Sequence, residues 1–280
     1  MATKSEYGQR EIEAAKSVLI ELMQILGEYR QQMVLVGGWV PFFLFGSEHV
    51  GSTDVDIALD REQITDDVYK TIRQHLEQRG YKQGGQPFIF TKEVKIDEGQ
   101  PVVVQVDFLA GEYGGTGKKH RHQVVQEDLR ARKARGCELA LEYHTQITVE
   151  GKMPGGAVNR VQVNLSDVVP FIVMKGMALY GRMKEKDAWD IYFCVRRHEG
   201  GVEGLAREFE PVLQNNLVQE GLGKIRAKFT SVDSVGPTYV VDFDEIGDRE
   251  ERDRIKRDAF ERVNAVLDIL KIAEYKERSF

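Results

Sequence analysis

The spacing of apolar residues divides the first part of the chain into short regular elements. Apolar positions at helical spacing predict an amphipathic helix over 11–27. The apolar runs at 33–36 and 54–59 predict two buried strands, separated by a glycine pair and a short apolar helix over 39–45. This alternation of helix and strand is typical of an α/β unit.

Further along, the pattern adds one helix and several strands. Thr65 can cap a helix over 66–79. Residues 86–96 and 147–165 predict two hairpins, and 102–109 predicts a strand rich in β-branched residues. We therefore expect an α/β (α+β) fold with a mixed sheet for this part of the chain.

The pattern becomes helical in the last two fifths of the chain. We place a domain boundary between an N-terminal α/β domain (1–165) and a mostly helical C-terminal domain (166–280). YVVDF (239–243) is an exception, since its β-branched and aromatic residues indicate a short strand. The helices expected in the second domain cover 167–183, 185–197, 203–217 and 248–275.

Composition narrows the class of function. The net charge of −6 argues against a general polyanion binder, so nucleic-acid contact would need a local basic patch. Cys137 and Cys194 are far apart and lack CxxC partners, which argues against a zinc ribbon and is typical of a reducing compartment. The N-terminal segment lacks the apolar core of a signal peptide, and no apolar run approaches the roughly 20 residues that span a bilayer. We expect a cytoplasmic protein with no membrane partner.

Two aspartates, Asp54 and Asp56, lie on the second predicted strand. The strand period of two puts both carboxylates on one face, where like charges repel and shift each other's pKa. A divalent cation that prefers oxygen ligands, Mg²⁺ or Mn²⁺, resolves this repulsion. The alternative from spacing alone is a pair at a sheet edge that faces water.

A third carboxylate, Asp107, interrupts the otherwise apolar run at 102–109. Burial of a lone carboxylate is costly unless it is paired or binds a metal. If this strand lies beside the strand of Asp54 and Asp56, the three acids form the set that a two-metal phosphoryl-transfer site needs. The alternative is that Asp107 is a plain strand-end residue.

The glycine pair after the first strand supplies another part of such a site. Gly37 and Gly38 let the backbone approach a phosphate, and the start of the helix that follows favours anions. Ser52 and Thr53, just before the aspartates, can donate hydroxyl groups to phosphates. Each of these features is also compatible with an ordinary turn.

Together these stretches resemble a known signature. "GGW", then "STDVDIAL" and "VQVDFL", resemble the nucleotidyltransferase-fold signature of the DNA polymerase β superfamily, over residues 1–110. A second stretch, MKGMALYGRMKEKDAWDIYF (174–193), resembles the Lys-x-x-Ala-Leu, Arg-x-Lys and Lys-Asp-x-x-Asp pattern of the AbiEii nucleotidyltransferase toxin family. One departure is that family members often carry a basic residue shortly before the D-x-D, where this chain has His49-Val50-Gly51.

The resemblance implies a role for each matching residue. The implied metal ligands are Asp54, Asp56 and Asp107. It also implies that Lys175 contacts the triphosphate and that Asp190 is a later functional aspartate, and Arg182 is a further candidate phosphate contact. From the residues alone, Lys175 lies at the flank of a buried helical face with its ammonium in water. On the same reading, Asp187 and Asp190 belong to a solvated ion-pair face.

The implied activity is metal-dependent transfer of an NMP from an NTP to an acceptor, with Mg²⁺ or Mn²⁺. By resemblance the acceptor is the 3′ end of tRNA, and the protein is the toxin of a type IV-like toxin–antitoxin or abortive-infection system with a cognate antitoxin. The basic stretch 118–135 gives weak support for contact with a phosphate backbone. The alternative is a helix over 124–135, which would distribute these charges around its circumference and leave an ordinary solvated surface. Two alternatives stay open: nucleotidylation of a protein or small molecule, by AMPylation or an aminoglycoside-like reaction, and a catalytically silent nucleotide-binding regulatory module.

Overall fold

The computed structural model describes residues 3–46, 48–65, 70–96, 99–112 and 122–275. The chain packs as two compact units. The first, which we call the sheet unit, consists of Tyr7–Val40 and Gly51–Asp167. The second, which we call the helical unit, consists of Met1–Glu6, Pro41–Val50 and Val168–Phe280.

The first part of the chain forms the sheet and its helices. In chain order the elements are α1 (Gln9–Ile25), β1 (Met33–Val36), α2 (Trp39–Phe45), β2 (Asp54–Leu59), α3 (Ile72–Gln78), β3 (Lys82–Gln83), β4 (Ile89–Val94), β5 (Val102–Ala110), β6 (His122–Gln126), β7 (Leu129–Lys133), α4 (Cys137–Glu142), β8 (His144–Lys152) and β9 (Val158–Ser166). In the described residues nine strands form one sheet, in the order β3-β4-β5-β2-β1-β9-β8, with β7 pairing with both β5 and β6. Strands β1 and β2 are antiparallel, whereas β2 and β5 are parallel. The predicted α/β fold class with a mixed sheet is confirmed.

Helix α1 covers one face of this sheet. Residues 17–23 of this helix are all buried, and Glu21 accepts a hydrogen bond of 2.9 Å from the hydroxyl of Tyr81. Glu21 also pairs with Lys92 of β4 at 3.6 Å, and the register partner of Lys92 on β5 is Val104. Because side chains alternate along a strand, Asp107 of β5 lies on the face opposite to α1.

Three local predictions for the sheet unit are wrong. The helix expected over 66–79 begins at Ile72, where Thr71 forms a capping box with Gln74; residues 66–69 lie outside the described part. Residues 86–96 contain a single strand, β4, and not a hairpin, because the chain has already reversed direction between β3 and β4 through Gly84 and Gly85. The helix over 124–135 is replaced by the antiparallel strands β6 and β7, since pairing of β7 with β5 overrides helix propensity. Residues 118–121 lie outside the described part.

The helical unit contains most of the remaining elements: α5 (Val168–Arg182), α6 (Glu185–Arg197), α7 (Gly201–Phe209), α8 (Asn216–Arg226), α9 (Val235–Phe243) and α10 (Arg249–Ile269). Helix α5 packs on α6 and α8, and α10 packs on α6, α7 and α9. A Cβ atom on Gly176 of α5 would lie 2.4 Å from the carbonyl oxygen of Gly221 on α8, so the two helices need glycine to approach this closely. Among the described helices, none is both long and apolar enough to cross a lipid bilayer.

Two predictions for this unit are wrong and one is confirmed closely. The helix expected over 203–217 is divided, because Pro211 lacks a backbone N–H and falls in a short 3₁₀ turn, and Asn215 then caps α8. Residues 239–243 belong to helix α9, where packing against α6 and α10 outweighs the β-branched composition. The helix predicted over 185–197 has the same bounds in the structure.

Candidate active site

Three aspartates share one face of the sheet. Strand β2 runs parallel to β5, and Asp56 is the register partner of Asp107. Asp54 lies two residues before Asp56 and therefore projects from the same face. The expectation that these two strands are neighbours is confirmed. We call Asp54, Asp56 and Asp107 the aspartate face.

Nearby polar groups hold two of these carboxylates. The hydroxyl of Ser52 donates a hydrogen bond of 2.5 Å to Asp54 Oδ1. The side-chain amide of Gln105, which is on the same face of β5, donates a hydrogen bond of 2.9 Å to Asp107 Oδ1. These hydrogen bonds fix the orientation of the two carboxylate groups. Ser52, which the sequence suggested as a phosphate contact, therefore orients an acid in this structure.

The turn at Gly37 and Gly38 lies directly against the carboxylate of Asp56. Gly37 has a φ of 73°, in the left-handed region, and a Cβ atom there would lie 2.2 Å from Asp56 Oδ2. Both the backbone conformation and the closeness of Asp56 thus require glycine at this position. Gly38 follows in the same turn, and the indole of Trp39 donates a hydrogen bond of 2.8 Å to the carbonyl oxygen of Asp54. The turn and the start of β2 are therefore tied together. Thr53, between Ser52 and Asp54, is half-buried.

Arg132 lies beside the aspartate face and was not among the residues predicted from the sequence. Its guanidinium Nη2 lies 3.7 Å from Asp107 Oδ2 and 4.0 Å from Asp56 Oδ1. The residue belongs to the basic stretch 118–135, but its position depends on the pairing of β7 with β5, which local periodicity does not reveal. The alternation in LRARK, residues 129–133, is the signal that indicates a strand with Arg130 and Arg132 on one face.

The aspartate face consists of carboxylates, as a cation site does, but in this structure these carboxylates contact other side chains of the protein. Within the described residues, no group of three or more His, Cys, Asp or Glu side chains is arranged to hold a metal ion. On this face Arg132 provides the positive charge, and Ser52 engages Asp54. Oxygens of Asp56 and Asp107 nevertheless converge on one cationic group, and carboxylate oxygens are the ligands that Mg²⁺ prefers. By the chemistry of its donors, though not by the present arrangement of its side chains, the aspartate face suits a divalent cation.

The other predicted residues meet in the helical unit. Lys175 Nζ lies 2.9 Å from Asp187 Oδ1 and 2.6 Å from Asp190 Oδ2. Arg182 donates two hydrogen bonds of 2.7 Å to Asp187, and Lys186 Nζ lies 3.0 Å from Asp190 Oδ1. The side chains of Asp187 and Asp190 are 1% and 0% exposed, and that of Lys175 is 11% exposed. The predictions of a solvated ion-pair face and of a water-exposed ammonium on Lys175 are therefore wrong. We call these five residues the buried ion-pair cluster.

Attraction within the buried ion-pair cluster outweighs the cost of burial. Burial by itself would lower the pKa of Lys175, but the carboxylates of Asp187 and Asp190 hold that pKa above its ordinary value. Burial would likewise raise the pKa of Asp190, yet Lys175 and Lys186 hold it well below its ordinary value. Lys175 and Asp190 are therefore both charged at neutral pH.

His49 is a second residue whose role was missed. Its side chain is fully buried, and Nε2 lies 2.9 Å from Asp190 Oδ1. The ring packs 5.0 Å from the ring of Trp189 and 4.9 Å from that of Phe193. Burial lowers the pKa of His49 to about 4, although the hydrogen bond to Asp190 acts in the opposite direction. At the position where the resembled family often has a basic residue, this chain therefore has a neutral imidazole that donates to Asp190.

The helical unit is expected to lose stability as the pH falls from 6.5 to about 4, because of His49. In that range the unfolded chain binds a proton at His49 and the folded protein does not, so the shift is worth about 3 kcal/mol. His49→Gln keeps a donor for Asp190 without the titration, and it should flatten this part of the pH profile. Fluorine NMR of fluorotryptophan-labelled protein during urea unfolding can follow Trp189 separately from Trp39. The prediction would be contradicted if the free energy of unfolding changed equally with pH in the wild-type protein and in His49→Gln.

Comparisons with solved structures give low-identity similarities over most of the chain. The Helicobacter pylori protein JHP933 is 12% identical, with a TM-score of 0.45, covering 94% of this chain and 94% of its own. An antigenic nucleotidyltransferase-like protein from Paracoccidioides brasiliensis is 18% identical, with a TM-score of 0.45, covering 83% of this chain and 97% of its own. No protein-family model matches the sequence, and neither does any curated protein.

Proposed function

We propose that this chain is a metal-dependent nucleotidyltransferase that moves an NMP from an NTP to a hydroxyl group of RNA. The observation that carries the proposal is the parallel pairing of Asp56 with Asp107, with Asp54 on the same face and the Gly37 turn against Asp56. Two adjacent carboxylates on neighbouring strands are costly unless a cation serves both. Transfer from a nucleoside triphosphate is the chemistry that such a set of acids performs with bound metal.

Each part of the aspartate face has a role in this reaction. Asp54, Asp56 and Asp107 would hold Mg²⁺ or Mn²⁺. One of them accepts the proton of the attacking hydroxyl as the bond between the α- and β-phosphates breaks and pyrophosphate leaves. A cation bound there would neutralise charge on the triphosphate and align it. The turn at Gly37 and Gly38 brings backbone close to the phosphates, as the lack of side chains there permits.

The residues of the helical unit belong to the proposal as well. Arg182 has a side chain that is 43% exposed, so it can contact a phosphate while it remains paired with Asp187. Lys175 and Asp190 are buried in mutual ion pairs and would act by holding that arrangement. The same proposal includes the tRNA 3′ end as acceptor and a toxin role with a cognate antitoxin.

Basic side chains on the same face favour an RNA acceptor. Arg130 and Arg132 alternate along β7, and Arg132 is the register neighbour of Leu109 on the strand of Asp107. Positive groups beside the acids suit the phosphate backbone of an acceptor strand.

The test is incubation of the protein with each α-labelled NTP, Mg²⁺ or Mn²⁺, total RNA and cell lysate. Label in tRNA is the expected result. Label in protein or in a small molecule would instead show that the acceptor is not RNA, while nucleotidyl transfer itself would be supported. NTP binding without transfer under either metal would contradict the enzyme and indicate a silent nucleotide-binding module.

A further inference from the structure

We propose that Arg132 is the built-in counter-ion of Asp56 and Asp107, and that its guanidinium turns to the triphosphate when metal and nucleotide bind. This inference rests on the proposed function and adds a specific residue to it. Arg132 then has two alternating partners of the same charge: two carboxylates in the nucleotide-free protein and phosphate oxygens in the complex.

Sheet register places Arg132 on the face where both partners would be. The parallel pairing of β7 with β5 sets Arg132 opposite Leu109, two residues after Asp107. Residues paired across neighbouring strands project from the same face, and so do residues two apart on one strand. Arg132, Asp107 and Asp56 therefore share a face because of the backbone, whichever rotamer the arginine adopts.

The carboxylates need this cation, because they are largely shielded from water. The side chains of Asp107 and Asp56 are 8% and 18% exposed, and they are register partners on adjacent strands. Like charges in that position destabilise each other, and an opposite charge within about 4 Å relieves the repulsion. Arg132 supplies that charge at 3.7 and 4.0 Å.

The same contacts are loose enough to be exchanged. Both distances exceed the range of a direct hydrogen bond, so Arg132 is held there by charge more than by geometry. Its Nε atom is buried and has no hydrogen-bond partner within the described part of the chain. A buried donor without an acceptor is costly, and a phosphate oxygen can accept from Nε and an Nη group together. The side chain is also 36% exposed, which leaves room for it to turn.

If Arg132 exchanges partners in this way, removing its charge should change the affinity for metal and the affinity for nucleotide in opposite directions. In the nucleotide-free protein Arg132 competes with a divalent cation for Asp56 and Asp107. Removing its charge should therefore strengthen binding of the metal alone. In the complex Arg132 contributes to nucleotide binding, so its removal should weaken binding of the triphosphate.

The experiment measures both affinities in the full-length protein by titration calorimetry. Arg132→Met keeps the length of the side chain without its charge, and Arg160→Met, on an exposed arginine of β9, is the matched control. Mn²⁺ is titrated alone, and a non-hydrolysable NTP analogue is titrated at saturating Mn²⁺. For Arg132→Met we expect Mn²⁺ affinity to rise about tenfold and nucleotide affinity to fall about tenfold. Arg160→Met should change each affinity by less than about twofold.

The outcomes separate this inference from the proposed function. Unchanged affinities in Arg132→Met, with wild-type binding intact, would overturn the counter-ion role and leave the proposed function standing. Weaker binding of both ligands, together with a lower thermal midpoint, would show a merely structural arginine and also overturn it. Wild-type protein that binds neither Mn²⁺ nor the analogue would overturn the proposed function, and this inference with it.

Discussion

Replacing Asp56 by asparagine is expected to reduce nucleotidyl transfer by more than about a thousandfold, because a metal ligand is worth several kcal/mol of transition-state stabilisation. Asp56 is the central acid of the aspartate face: it pairs in register with Asp107 and lies against Gly37. Asparagine has the same shape, so the turn and the sheet should remain. The free energy of unfolding should change by less than about 1 kcal/mol, since one of two adjacent like charges is removed together with a long ion pair.

The matched control is Asp60→Asn, just beyond the other end of the same strand. Asp60 accepts hydrogen bonds from the backbone N–H of Glu62 on Oδ1 and from the side-chain amide of Gln63 on Oδ2. Asparagine retains an oxygen for the first, and its NH2 group can donate to the amide oxygen of Gln63 once that exposed amide turns over. Transfer of label from α-labelled NTP should be normal in this control. An Asp56→Asn protein that is folded and transfers label at the wild-type rate would overturn the metal-site assignment.

Replacing Lys175 by methionine is expected to lower the free energy of unfolding by about 3 kcal/mol, because it leaves buried carboxylates with too little positive charge. Lys175 lies within 2.9 Å of both Asp187 and Asp190, and those side chains have almost no exposure to water. Urea unfolding at neutral pH measures the loss. Lys184→Met, on an exposed residue just before α6, is the control and should stay within about 0.5 kcal/mol of wild type.

A double-mutant cycle with Asp190→Asn sharpens this test. Removing one charge from a buried pair costs more than removing both, so Lys175→Met with Asp190→Asn should be more stable than the sum of the single effects predicts. Strict additivity would contradict the structural role of Lys175. Unchanged stability with lost transfer would instead show that Lys175 acts directly on the triphosphate, as the resemblance implies.

The pattern of residues along the chain predicted some helices correctly and others wrongly. The helix over 185–197 was predicted with the observed bounds. The prediction failed for 239–243, where helix–helix packing outweighs β propensity, and for 203–217, where Pro211 interrupts the helix. It also failed for 124–135, because β7 pairs with a strand that lies 20 or more residues earlier in the chain.

The sequence alone determined that Asp54 and Asp56 share a face, because the two-residue period of a strand is a local property. It also placed glycine where a side chain would collide with an acid. Only the tertiary structure decided that Asp107 pairs with Asp56, that Arg132 lies between their charges, and that His49 donates to Asp190. The physical reason is that strand register and the burial of charged groups depend on partners far apart in the chain, and their energies appear only once those partners are packed together.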